Sequence, residues 1–119
     1  MAKITGLGGA FLRVNDPKKL CAWYEEHLGI KSAYGSFSFP AADQRGRIAV
    51  AFFSKTSDYF PVTQPAMLNF QVDDLDAVLD HLVSAGVPVD SKREDSDYGR
   101  FGWFTDPEGN RIELWQPKA

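Results

Sequence analysis

The sequence has one cysteine, Cys21, and two histidines, His27 and His81, in 119 residues. A single cysteine closes no internal disulfide, which fits a reducing cytoplasm, and Cys21 reads as a small core or boundary residue. No apolar run approaches the roughly 20 residues of a membrane span. The start, Met1 to Gly6, lacks the apolar stretch of a signal peptide. Net charge is -3 with no basic run, so neither nucleic acid nor an anionic membrane is expected as a partner. G-x-S-x-G, HExxH and a Gly-rich phosphate loop are all missing. Both histidines fall late in predicted helices, where a partly cationic ring suits the negative helix end.

What is present converges on the last twelve residues before the C-terminal Lys118-Ala119. Asp106-Pro107-Glu108-Gly109-Asn110 predicts a tight turn: Asp106 accepts from the turn backbone, Pro107 presets φ, and Gly109 supplies a positive φ. From Arg111 the residues alternate. Arg111, Glu113 and Trp115 share one face of a strand ending at Gln116; Ile112 and Leu114 share the other.

Earlier in the chain, Leu7 to Val14 predicts a strand with Ala10, Leu12 and Val14 on one face. Asp16-Pro17 opens a helix by an N-cap and a proline at the first position, and Gly29 stops it. Its stripe is Leu20, Trp23, Tyr24 and Leu28. Strands are expected at 30–33, 35–39 and 47–54, with a polar loop at 40–46. Residues 55–65, rich in proline and aromatics, form an extended or turned connector that packs back onto the domain. A strand at 66–72 follows, with Leu68, Phe70 and Val72 on one face and Met67, Asn69 and Gln71 on the other. Asp74 caps a second helix carrying Leu75, Val78, Leu79, Leu82 and Val83, which Gly86 ends. Strands are expected again at 87–92, 99–105 and 111–116.

The halves match. Leu12-Arg13-Val14-Asn15-Asp16 pairs with Phe70-Gln71-Val72-Asp73-Asp74, and Arg47-Ile48 pairs with Arg111-Ile112. Each half is too small to bury its own apolar face, so one domain spanning residues 1–119 is expected. Its modules cover about 4–54 and 66–117.

This ending, D-P-x-G-N-x-I-E-L, together with the repeat, resembles the vicinal oxygen chelate superfamily of glyoxalases, bleomycin-resistance proteins and extradiol dioxygenases. The resemblance implies an α+β fold of two tandem βαβββ modules whose curled sheets share a cleft, with helices outside near 16–28 and 74–85. Members that use metal take a His from each first strand and a Glu from each last strand. Carried over residue by residue, those slots fall on Gly9, Ala49, Met67 and Glu113. Only Glu113 is a ligand-type residue, and one carboxylate does not hold a catalytic divalent ion. No metal and no cofactor are therefore expected.

If the aliphatic faces pack under the helices, the cleft is lined by Phe11, Arg13, Arg47, Phe53, Met67, Asn69, Gln71, Arg111, Glu113 and Trp115. Aromatic walls with a few polar groups are what small-molecule pockets use; alternatively, the arginines and Glu113 neutralise one another across strands. The run Arg93 to Tyr98 predicts a charged loop at the cleft mouth, with Tyr98 or Trp103 available to stack on a ligand. Two functions fit. One is metal-free binding of a small organic molecule, in the bleomycin-resistance manner. The other is an enzyme of lyase, isomerase or dioxygenase type using Glu113 as general acid or base beside an Arg, or as a residual metal ligand; an assembly module is a third reading. Arg13 and Arg47 are the candidate cross-cleft partners for Glu113, a close Arg holding its pKa down and desolvation raising it. A homodimer is expected through exposed Trp115 and Tyr59-Phe60.

Overall fold

The computed structural model describes residues 2–32, 35–40 and 47–118. The first half supplies strand β1 (Ile4–Val14), helix α1 (Pro17–Leu28), and strands β2 (Ser36–Pro40) and β3 (Arg47–Ser54). The second supplies β4 (Ala66–Val72), α2 (Leu75–Ser84), β5 (Glu94–Ser96), β6 (Gly99–Thr105) and β7 (Arg111–Pro117). Among the described residues the strands form one sheet in the order β2-β3-β1-β4-β7-β6-β5. β1 runs parallel to β3 and β4 parallel to β7, while β1 meets β4 antiparallel. The two halves thus join edge to edge through their first strands. The result is a curled, half-barrel α+β sheet carrying two helices.

Both helices start as the caps dictate. Asp16 accepts from Lys19 N at 3.1 Å with Pro17 in the first turn, and Asp74 accepts from Ala77 N at 3.1 Å. Gly29 ends α1 at φ 70°. The Asp106 turn also forms as read. Asp106 Oδ1 accepts from Glu108 N at 3.0 Å and Asn110 N at 2.9 Å, and Gly109 sits at φ 87°. The Asn110 backbone and side-chain donors hold the Asp106 carboxyl below its ordinary pKa.

The period-two faces hold except in β1, where the register shifts between Ile4 and Gly6 and between Leu7 and Gly9, so that Leu7 joins Leu12 on the outer face. Under α2, Val72 and Leu114 pack with Leu75 and Leu79. Under α1, Cys21, Phe37 and Phe52 form the equivalent core, with Leu20 and Tyr24 against it. Trp23 and Leu28, expected in the α1 stripe, are instead exposed, as is Val83 on α2. Each helix covers one wing of the sheet only, so residues toward the rim of its stripe find no partner surface.

Two strand expectations change. Residues 30–32 form no strand, and residues 33 and 41–46 of the expected strand and loop lie outside the described residues. Residues 87–92 make a single bridge, Val89 to Phe104, rather than a strand. Pro88 has no N–H to give a ladder, although its carbonyl accepts from Thr105 N at 3.0 Å. The short strand forms later, at Glu94–Ser96, inside the segment read as a loop. Arg100 fixes that hairpin, bonding Asp95 at 2.9 Å and Asp76 of α2 at 2.8 Å.

Between the helices, no described residue covers the outer face of β1 and β4. Leu12 pairs with Ala66 and Leu68 with Ala10. Ile4, Leu7, Leu12 and Leu68 are 47%, 41%, 38% and 43% exposed.

Candidate functional site

The inner face of the curl carries the residues expected there. One row of register partners crosses it: Ser38, Ala49, Gly9, Asn69, Glu113 and Trp103. Glu113 sits within this row and is 0% exposed. Its carboxylate is enclosed by donors. Asn69 Nδ2 donates to Oε1 at 2.6 Å, Trp103 Nε1 donates to Oε2 at 2.9 Å, and the Tyr59 hydroxyl also donates to Oε2.

Among the described residues no arginine reaches Glu113. The expected cross-cleft partners are committed elsewhere, which corrects the charge-pairing reading. Arg13 turns to the 55–65 segment and donates to six carbonyls: those of Ser54, Lys55, Ser57, Phe60, Pro61 and Gln64, at 2.8–3.3 Å. Its guanidinium also lies 4.4 Å from the Phe60 ring centre. Arg47 donates to Ser38, through Nε to Oγ at 2.8 Å and through Nη2 to the carbonyl at 3.2 Å. Arg111 pairs with Asp90 at 3.1 Å and covers the Trp103 ring at 5.3 Å. Burial therefore dominates at Glu113 and raises its carboxyl pKa, against the three hydrogen bonds that lower it. The Tyr59 hydroxyl is pushed far above its ordinary value, first by burial and then by the charge of Glu113.

Tyr59 is the residue that sequence reasoning placed outside and the structure places inside. It stacks on Phe53 at 5.2 Å and 16°, and meets Trp103 edge-on at 6.1 Å. Phe60 follows it down, buried with Met67 and Trp103, with Phe11 and Phe53 against that cluster. So Phe11, Phe53 and Trp103, expected as ligand walls, contact the protein's own 55–65 segment instead. Gln64 locks the far end of that segment. Its amide donates to the Ala66 and Arg111 carbonyls at 2.8 and 2.9 Å and accepts from Arg111 N at 2.8 Å. The aromatic content of 55–65 was the signal; its inward direction was not readable from local pattern.

The metal slots do not fit a metal. The register puts Asn69, not Met67, opposite Glu113, because Asp74 follows its slot by five residues whereas Asp16 follows Gly9 by seven. Gly9 has φ 148°, and a Cβ there would lie 1.8 Å from the Ala49 carbonyl oxygen. The first slot is thus closed to any side chain, a histidine included. Asn69, Trp103 and Tyr59 direct N–H and O–H groups at Glu113, occupying three of the roughly four lone-pair sites that an ion would compete for. Among the described residues no three His, Cys, Asp or Glu side chains gather.

The open part of the concavity lies further along the same strands. A cleft of about 1070 Å³ runs between the β2–β3 wing and the end of β7. Arg47, Tyr98 and Trp115, all expected site residues, line it together with Lys31 and Lys118. Trp115 is fixed there: its ring lies parallel to Phe101 at 6.0 Å and its Nε1 donates to the Tyr98 carbonyl at 2.8 Å. Tyr98 is 72% exposed at the mouth. Gln71, by contrast, is buried and reaches over β1 to the Arg47 carbonyl at 3.5 Å.

No curated protein matches the sequence. Solved structures do match in fold. Methylmalonyl-CoA epimerase from Mycobacterium tuberculosis shares 22% identity, covering 98% of this chain and 90% of that one, at a TM-score of 0.68. The Streptomyces coelicolor methylmalonyl-CoA epimerase, in complex with 2-nitronate-propionyl-CoA, shares 16% over 98% and 100%, at 0.76. A glyoxalase/bleomycin resistance protein/dioxygenase superfamily member from Vibrio splendidus 12B01 shares 13% over 98% and 99%, at 0.56. The family model of that superfamily matches residues 6–114, and with the paired modules and the D-P-x-G-N-x-I-E-L ending this chain belongs to the Glyoxalase/Bleomycin resistance protein/Dioxygenase superfamily.

Proposed function

We propose that this protein binds a small organic molecule in the cleft beside Trp115, and does so without the divalent metal used elsewhere in its superfamily. The observation that carries this reading is a cleft of about 1070 Å³ with an anchored indole in its wall, at the upper end of the sizes that hold small ligands. It is separate from Glu113, whose two oxygens are taken by protein donors. The epimerase neighbour in complex with 2-nitronate-propionyl-CoA supports a small organic ligand on this fold. The buried free thiol of Cys21 supports a reducing cytoplasmic setting.

Native mass spectrometry after incubation with a small-molecule extract tests the reading. The expected result is a noncovalent organic adduct that is lost in Trp115→Ala. An adduct whose mass is that of a transition-metal ion, lost in Glu113→Gln, overturns it.

Acid–base chemistry at Glu113 is the second reading, and one observation favours it: burial moves its carboxyl pKa in the direction a general acid or base needs. That chemistry requires Tyr59 to swing out, since its hydroxyl and ring close the site.

For assembly, Tyr59 and Phe60 are withdrawn into the fold and Trp115 faces the cleft, so the expected dimer surface moves. We place it on the outer face of β1 and β4, where Ile4, Leu7, Leu12 and Leu68 form an apolar patch astride the joint between the two halves. Sedimentation velocity at tens of micromolar is expected to give a dimer for the native chain and a monomer for Leu68→Glu. A native monomer removes the proposal.

A further inference from the structure

We infer that the cleft selects an organic anion with a flat unsaturated ring. This rests on the cleft being the binding site, and it assigns the ligand's chemical class. The chain as a whole is acidic, with a net charge of -3. The cleft reverses that sign: Lys31, Arg47 and Lys118 line it, and among the described residues no carboxylate does. Asp95 is paired with Arg100 at 2.9 Å; Glu25 accepts from the hydroxyl of Ser32, which lines the cleft. Three cations in the lining, with no carboxylate among the described lining residues, on a negative molecule, raise the local concentration of anions.

Arg47 is the directing group. Its two bonds to Ser38 hold the guanidinium against the β2–β3 wall while the residue stays exposed to the cleft. A planar fork held this way suits a carboxylate or a similarly flat oxyanion. The Trp115 indole supplies a fixed platform for a ring, because Phe101 backs it and the Tyr98 carbonyl stops its rotation. Cation and platform together specify a ring with an acidic substituent, rather than an amine or an uncharged chain.

The test uses three probes of one shape and different charge: 1-naphthoate, 1-naphthamide and 1-naphthylmethylammonium. Each is titrated while following the indole N–H signal of Trp115, assigned through Trp115→Phe. The naphthoate is expected to shift that signal and to bind about tenfold more tightly than the amide, a ratio set by one charge-assisted hydrogen bond. Its affinity is expected to fall as salt rises. Arg47→Gln is expected to weaken naphthoate far more than amide, shrinking the tenfold difference between them toward one. Equal binding of all three probes, or preference for the ammonium, overturns the charge assignment and leaves the cleft as a binding site. No shift from any probe overturns both the ligand class and the cleft reading.

Discussion

Glu113→Ala is expected to destabilise the protein by about 4 kcal/mol or more, and Glu113→Gln by less than about 1 kcal/mol, each read from chemical denaturation. Alanine leaves the buried Asn69 and Trp103 donors and the half-buried Tyr59 hydroxyl without an acceptor. Each costs roughly 1–3 kcal/mol, and the lost side-chain volume adds to it. Glutamine keeps the shape and one oxygen for Tyr59 and Trp103. A flip of the Asn69 amide turns its Oδ1 to accept from the introduced amide and puts Nδ2 where Oδ1 now lies unpartnered, so the number of unpartnered buried polar atoms does not rise. A glutamine variant as damaged as alanine would mean that the negative charge itself holds the floor together.

The pH dependence follows from the same group. Burial raises the folded pKa of Glu113 above the 4.5 of an unburied Glu. The folded state then binds the proton more tightly than the unfolded state. Stability from this group is therefore complete below pH 4.5 and is lost as pH rises through the folded pKa. Relative to Glu113→Gln, the native protein is expected to weaken across that window.

The second large effect is expected at Arg13. Arg13→Met removes donors from six carbonyls of the 54–64 backbone and a cation from over Phe60. Hydrogen bonds from a charged group contribute about 1.5–3 kcal/mol each when buried, but several of these carbonyls reach water, so a total near 3 kcal/mol is expected. Limited trypsin digestion provides a local readout. Cleavage after Lys55 is expected to speed up in Arg13→Met far more than cleavage elsewhere, because the segment holding Tyr59 and Phe60 loses its clamp. Arg13→Lys is expected to recover only part of this, since one ammonium cannot bridge six acceptors. Unchanged cleavage at Lys55 would show that Tyr59 and Phe60 hold the segment unaided.

These two residues also mark where the sequence is legible. Alternation placed Arg13 and Glu113 on the inner face correctly, because a strand's period of two is a local property. The caps at Asp16 and Asp74 and the turn at Asp106 were readable for the same reason. What covers the inner face is not local. Tyr59 and Glu113 are 54 residues apart in sequence, and nothing near Tyr59 indicates which surface it closes. Phe11, Phe53 and Trp103 therefore read as walls of an open pocket, whereas the structure packs them against the half-buried Tyr59. The Met67 slot failed through spacing: caps and strand registers repeat with offsets that differ by two residues, which keeps the face but changes the residue. Arg47, Tyr98 and Trp115 lie past the edge of the aromatic plug and line the cleft proposed as the binding site.

The measurement closest to the central claim is a carboxyl carbon NMR titration of Glu113, run with and without added zinc. A carboxylate held by Tyr59, Asn69 and Trp103 predicts a single transition above the ordinary glutamate range, unmoved by zinc. A transition at or below that range, or a zinc-induced shift of the Glu113 signal, would contradict the account and return this residue to metal chemistry.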